Sequence, residues 1–297
     1  MDLNQPIFFI GMPRSGTTII FEAFSTHTTL GWLSNYTQRF PAFPHIALIH
    51  RLFGNAQGRK NQSQALPFYA RILPEPMEVY NIWNRVFGSD FSISFLKNET
   101  PSHLQAIRIR NYLRSTLRAQ GRERLCIKFT GPPRVRFLTH IFPEAYFIDI
   151  LRDPRAVISS LFRLDWWKKN GLEKPYWTDG LGDFELAIWE QHNRSPVALA
   201  ALLWRAVYTT TVEEVRHTRA NYQRIQYEDF IRSPSPAAAR IASFCGLRDC
   251  PKVNSYITRQ NYVNMNDKYS SQLTKNDIAT IEAIAGAQMR AHGYLDS

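Results

Sequence analysis

Two short strings in this chain carry residue types suited to holding phosphate. Gly11-Met12-Pro13-Arg14-Ser15-Gly16-Thr17-Thr18 follows the apolar run Ile7-Phe8-Phe9-Ile10, and residues 17–25 read as a helix. A glycine-containing turn between a buried strand and a helix can wrap backbone N–H groups around phosphate oxygens. The helix N-terminus adds partial positive charge at the same place. Gly11 and Gly16 have the spacing of a Walker A loop, but Thr17 stands where that loop needs lysine. The grip on a β/γ-phosphate is therefore missing, and Arg14 is the cation the loop itself can offer. The same glycines could also serve a strand-to-helix turn for backbone reasons alone.

The second string, Arg152-Asp153-Pro154-Arg155, closes an apolar run and opens a helix bearing Ser159 and Ser160. Pro154 suits a first helical position, where its missing N–H costs nothing. An arginine at a strand end and a serine two turns into the next helix can reach one ligand in the same crevice. Such a string can equally be a capping and salt-bridge cluster.

These strings need elements to position them. Strands are predicted at residues 7–10, 125–129, 145–151 and 222–227. Helices are predicted at 17–25, 102–119, 156–162, 236–245 and 275–292. Residues 31–98 read as irregular and aromatic, with helical pieces near 45–53 and 77–87. Apolar runs alternating with helices imply an α/β fold, a parallel sheet covered on both faces. No repeat, low-complexity tract or linker divides the chain, so its 297 residues read as a single domain.

Composition narrows the partners. With 44% hydrophobic and 21% charged residues the chain reads as globular rather than disordered. A formal charge of +11 favours anionic ligands. Nine of those cations fall in residues 105–136 (Arg108, Arg110, Arg114, Arg118, Arg122, Arg124, Lys128, Arg134 and Arg136), which is either a solvated helix face or a binding surface. Cys126, Cys245 and Cys250 form neither an even framework nor a CxxC pair, so no disulfide scaffold or metal site is expected. No run approaches the ~20 apolar residues of a membrane span, and the N-terminus lacks a basic leader. A soluble, cytoplasmic protein is the expectation.

Taken together, PRSGTT at 13–18 and FPEAYFIDILRDPRAVISSLF at 142–162 resemble the PAPS-dependent sulfotransferases, specifically their bacterial-type branch. Tyr227-Glu228-Asp229-Phe230, followed by Pro234, Pro236 and residues 241–247, is similar to a further segment of that family, and so is the stretch from Asn266 through Gly293-Tyr294. The resemblance implies a P-loop/Rossmann-like sheet, with a nucleotide-binding core at 6–30 and 124–295 and an aromatic-rich acceptor-binding region at about 31–123. It implies a 5′-phosphosulfate loop of Pro13, Arg14, Ser15, Gly16, Thr17 and Thr18, a 3′-phosphate pair of Arg152 and Ser160, and Tyr227 near the nucleotide. PAPS would be the co-substrate and adenosine 3′,5′-bisphosphate the product, with no metal required. The acceptor would be a hydroxyl on a small molecule, glycan or lipid.

In such chemistry the hydroxyl attacks sulfur in line, and a cation at the bridging oxygen stabilises the transition state. Arg14 and Lys128 hold the positions that the family gives to cations. The general base is missing from both of its usual places. Thr130 stands where cytosolic members carry histidine, and Trp32-Leu33-Ser34-Asn35-Tyr36 has no glutamate where glycan-type members carry one. Glu78, Glu99 and His103 are the remaining candidates, with Glu78 preferred. His27 and His140 read as packing residues. Trp166, Trp167, Tyr176, Trp177, Phe184 and Trp189 form either an acceptor wall or a core cluster. Two other classes stay open. A P-loop small-molecule kinase would need Asp149 as magnesium ligand, and a basic nucleic-acid-binding protein would use the 105–136 cations without any recognised binding motif.

Overall fold

The structure, a computed structural model, describes residues 4–53, 72–177 and 179–296. Five strands, β1 (Ile7–Ile10), β2 (Leu30–Trp32), β3 (Arg124–Lys128), β4 (Tyr146–Leu151) and β5 (Asn221–Gln226), form one parallel sheet in the order β2-β3-β1-β4-β5. The central strand is apolar at every position because helices cover both faces of the sheet. Phe8 packs one way, with its ring 6.0 Å from Phe129 and 5.4 Å from Phe147. Phe9 packs the other way, against Phe21 and Phe24 of the helix Thr17–Ser25. The expected α/β sheet is present.

Pairing of β1 with β3 and β4 sets Phe9 beside Lys128 and Ile10 beside Asp149. The C-terminal ends of these three neighbours therefore emerge side by side, followed by Gly11, Phe129 and Arg152 respectively. This is the edge at which open α/β sheets hold ligands. The helix His103–Gln120 begins on a capping box at Ser102 and Gln105, and Gly121 ends it at φ +64°. Its apolar side, with Ile109, Leu113 and Leu117, lies in the core beneath Phe8.

Several elements depart from the sequence expectation. Leu30–Trp32, at the start of the stretch (31–98) read as irregular, is an edge strand paired with Arg124–Cys126. Pro196–Thr218 is a helix of 23 residues that no predicted element covered, and its buried Leu199, Leu202 and Leu203 join Trp167 and Trp204 in a third core cluster. The helical piece predicted at 77–87 is irregular at residues 77–80 and helical only over Asn81–Phe87. Residues 45–53 are a 3-10 turn, Pro44–Leu48, joined to the short helix Ile49–Leu52. The last residue of the predicted 222–227 strand, Tyr227, instead opens a short helix, Tyr227–Arg232.

The basic cluster at 105–136 is dispersed by this fold. Arg124, Lys128 and Arg134 are buried, and Arg110 pairs with Glu144 at 2.9 Å. Among the described residues no helix is long and apolar enough to cross a membrane.

The long helix also supplies a buried carboxylate. Glu214 accepts from the N–H groups of Val135 (2.7 Å) and Arg136 (3.3 Å) at the start of the helix Val135–Ile141. Burial pushes its carboxyl up to about 7, against opposing help from those N–H groups and Arg134. A carboxyl raised in the folded state binds its proton more tightly there than in the unfolded chain, so its contribution to stability falls as pH rises through 4.5 to 7. Glu214→Gln keeps an oxygen acceptor and cannot ionise. The variant's stability relative to wild type should rise between pH 4.5 and 7 and level off above 7 in urea melts. A difference independent of pH would show that Glu214 carries no raised pKa.

Candidate active site

The turn after β1 is held in a conformation few residues adopt. Gly11, Arg14 and Gly16 have φ of +147°, +72° and +93°. A Cβ on Gly11 would sit 2.5 Å from the Ile150 carbonyl oxygen of β4, and one on Gly16 would sit 2.3 Å from the Tyr227 ring. Both glycines are therefore required by close approach as well as by backbone angle. Ser15 N–H closes the turn onto Met12 O at 3.0 Å, and the Ser15 and Thr17 hydroxyls lie 3.0 Å apart. Ser15 and Thr17 are buried, whereas Arg14 and Thr18 are exposed on the side facing the sheet edge.

The positive φ of Arg14 sends its two ends to two partners. Its Nε donates to Ser160 Oγ at 2.8 Å, and its carbonyl accepts from Arg152 Nη1 at 2.9 Å. The two strings singled out in the sequence thus meet through one residue. Arg152 is further oriented by Asn266 Oδ1, which accepts from its Nε at 2.9 Å, and by the Tyr227 ring 4.2 Å beneath its guanidinium. Asn266 in turn donates to Glu228 at 2.6 Å. Arg163 reaches the Ser160 hydroxyl at 3.4 Å. Among the described residues Arg14, Arg152 and Arg163 make no direct ion pair with a carboxylate. Burial lowers the pKa of both Arg14 and Arg152. The nearby Arg163 adds to the shift at Arg14, and at Arg152 Tyr227 and Glu228 partly offset it. Three guanidinium groups around one serine and one glycine turn make a site for a multiply charged anion.

Beside this cradle lies a cavity of about 570 Å³. Arg14, Thr18 and Lys128 line its inner end, and Glu22, Glu75, Glu78, Trp166, Tyr176 and Trp177 are among the residues lining the rest. Lys128 Nζ donates to Thr18 Oγ1 at 2.9 Å and stands 3.4 Å from Glu78 Oε1. Thr130 Oγ1 lies 3.0 Å from each Glu78 oxygen, and the Tyr80 hydroxyl donates to the Thr130 carbonyl at 2.9 Å. A carboxylate, an ammonium and two hydroxyls therefore meet where the cavity joins the loop. That set can accept a proton and stabilise a developing negative charge within a few ångströms.

The other candidates lie elsewhere. Glu99 lines a separate depression with Asp90 and Gln105, and His103 is exposed at the first position of its helix. His27 is buried, with Nε2 3.1 Å from the Arg248 carbonyl, in keeping with a packing role. His140 is not a packing residue: it is exposed and, among the described residues, bonds only the Arg136 carbonyl of its own helix. The aromatic group divides. Trp166 and Tyr176 line the cavity, Trp177 touches the cavity but belongs with Trp167 and Trp189 to the core, and Phe184 is 71% exposed. Asp149, the magnesium ligand a kinase would need, is buried and held by Tyr222 (2.6 Å) and Arg224 (2.8 Å).

The sequence reading missed Glu22, Glu75, Asn266 and Arg163. Glu22 had a signal, standing four residues after Thr18 and so on the same helix face. Asn266 opened a stretch similar to the family but was given no role, and Arg163 had no signal, because their relation to Arg152 and Ser160 exists only in three dimensions.

Residues 6–251 match the sulfotransferase family. The chain is 25% identical over 319 residues to omega-hydroxy-beta-dihydromenaquinone-9 sulfotransferase Stf3 of Mycobacterium bovis and of Mycobacterium tuberculosis, covering 98% of this chain and 76% of each relative. Among solved structures, sulfotransferase STF9 from Mycobacterium avium superposes with a TM-score of 0.60 at 17% identity, covering 98% of this chain and 77% of that one. The sulfotransferase domain from the curacin biosynthetic pathway gives 0.52 at 15% identity, covering 97% and 98%. The structural likenesses speak for the fold, and the family match takes in the loop at 11–18, Arg152, Ser160 and Tyr227. The chain belongs to the sulfotransferase family.

Proposed function

We propose that this protein transfers a sulfuryl group from PAPS to a hydroxyl acceptor by in-line displacement. The observation that carries the reading is the junction at Arg14, whose side chain and carbonyl tie Ser160 and Arg152 to the glycine turn. One nucleotide with phosphate groups at two places suits a cradle built from two strings. The turn at 13–18 would hold the phosphosulfate, Arg152 and Ser160 the 3′-phosphate, and Tyr227 would pack beside the nucleotide. The mycobacterial relative is named for an omega-hydroxy compound, which supports a hydroxyl as the accepting group.

In this mechanism the acceptor oxygen attacks sulfur as its proton passes to the Glu78 carboxylate. The new O–S bond forms while the bond from sulfur to the bridging phosphate oxygen breaks. Adenosine 3′,5′-bisphosphate leaves with that bond's electron pair. Lys128 and Arg14 stabilise the charge growing on the bridging oxygen, an interaction stronger in the transition state than before it. Thr130 and Lys128 together hold Glu78 at the cavity's inner end.

Adenosine 3′,5′-bisphosphate should raise the melting temperature, as any ligand selective for the folded state does. The rise should shrink strongly in Arg152→Ala and in Arg14→Ala. No shift at saturating nucleotide, with the protein folded by circular dichroism, would sink the donor assignment.

Glu78→Gln should lower kcat by about 10²–10⁴-fold, the range that general-base catalysis supplies. Its nucleotide affinity should stay near wild type. The measurement is sulfuryl transfer from labelled PAPS to hydroxyl compounds found by screening. An unchanged kcat would move the base elsewhere, with Glu22 next in line.

A further inference from the structure

We infer that the accepting hydroxyl is carried by a cation, a protonated or quaternary amino alcohol, recognised in the aromatic corner of the 570 Å³ cavity. The inference rests on the proposed sulfuryl transfer and names its acceptor class.

The corner is lined by the partly buried Trp166 and Tyr176, with Trp177, only 2% exposed, packed against Tyr176. Trp166 and Tyr176 have centroids 5.0 Å apart and planes tilted by 54°; Tyr176 and Trp177 are 5.8 Å apart at 75°. Rings set at steep angles offer several electron-rich faces to one compact group, which is how aromatic cages take quaternary ammonium ions. Trp177 is fixed in place by Gly131, where an added Cβ would fall 2.6 Å from its ring.

The rest of the lining disfavours alkyl and anionic acceptors. Glu22, Glu75 and Glu78 all face this cavity in a chain of net charge +11. Glu22 is held by the Tyr256 hydroxyl at 2.9 Å and Glu78 by Lys128 and Thr130. The Glu75 side chain has no hydrogen-bond or ion-pair partner among the described residues, although its backbone is fixed at both ends to Asn35. An alkyl chain laid against these carboxylates would desolvate them without recompense. An anionic acceptor would be repelled. A cation satisfies both the free carboxylate and the ring faces. It is also drawn to the anionic donor, whose phosphates would offset the cations at the inner end.

The test compares choline with 3,3-dimethylbutan-1-ol, its neutral isostere, and with methyl glucoside. Binding to the wild-type protein is followed by calorimetry, with and without adenosine 3′,5′-bisphosphate. Choline should bind at least about tenfold more tightly than the neutral alcohol. Glu75→Gln and Trp166→Ala should each erase most of that preference while nucleotide binding persists. Equal binding of choline and its isostere, preference for the glucoside, or no choline binding at millimolar concentration would each overturn the inference. Because choline is also measured without nucleotide, a failure of the nucleotide to bind removes the donor assignment and leaves the comparison of acceptors readable.

Discussion

The site depends on a chain reversal of six residues between β1 and the helix that begins at Thr17. Within it an arginine is held at φ +72°, a region that disfavours every side chain except asparagine, aspartate and glycine. Such strain costs on the order of 1–3 kcal/mol and persists only when its surroundings over-determine it. Here they do. Gly11 is pressed against the carbonyl of Ile150, Gly16 against Tyr227, and the Arg14 carbonyl is held by Arg152. A relaxed arginine at this position would turn its carbonyl away from Arg152 and its guanidinium away from Ser160. The two phosphate-binding strings would then be neighbours without being one site.

The charged groups of the molecule fall into two sets on the same grounds. Arg155 is paired with Asp153 (2.7 Å) and Glu282 (2.9 Å), and Arg224 with Asp149 (2.8 Å). These pairs tie the helix Pro154–Leu161 to the C-terminal helix and β5 to β4. Arg14, Arg152 and Arg163 are instead met by hydroxyls, an amide, a carbonyl and a ring. Neutral partners orient a guanidinium without cancelling its charge, and for Arg152, the buried one of the three, an uncancelled charge is unfavourable until a counter-ion arrives. The arrangement gives up stability in the free protein and regains it with an anion bound.

Much of this was legible in the sequence, for physical reasons that differ by element. β1, β3 and β4 are largely apolar runs, the mark of strands buried on both faces, so their existence was readable from the string, whereas their order in the sheet needed the pairing itself. β2 was not readable. Leu30-Gly31-Trp32 is too short for a pattern, and only its pairing with β3 makes it a strand. The helix Pro196–Thr218 carries Ser195 as its cap and Pro196 at its first turn, a start signal present in the string. Its interior Thr209-Thr210-Thr211-Val212 has poor helix propensity, so packing rather than local preference decides it. At the site, Arg14, Arg152 and Ser160 could be named from motif spacing. That Arg14 joins the other two could not, since the contacts cross 138 and 146 residues of chain.

The carboxylate at 78 shows how the acceptor half was hidden. Residues 31–98 read as irregular apart from two helical pieces, yet the chain on either side of Pro76 is laid antiparallel against the residues that follow β2. Asn35 N–H donates to Glu75 O and Met77 N–H to Leu33 O, both at 3.1 Å, with a bridge between Ser34 and Pro76. This extends the sheet edge by one segment after β2 has ended. Val79 is then buried in the core, so its neighbours Glu78 and Tyr80 are held at the cavity floor above Thr130. Thr130 occupies the position after Lys128 where a base was expected. It supplies a hydroxyl that orients a base arriving from a different part of the chain. A carboxylate fixed by backbone pairing, a buried valine and a threonine needs no place of its own in the strand-end motifs. Their usual spacing was therefore silent about it.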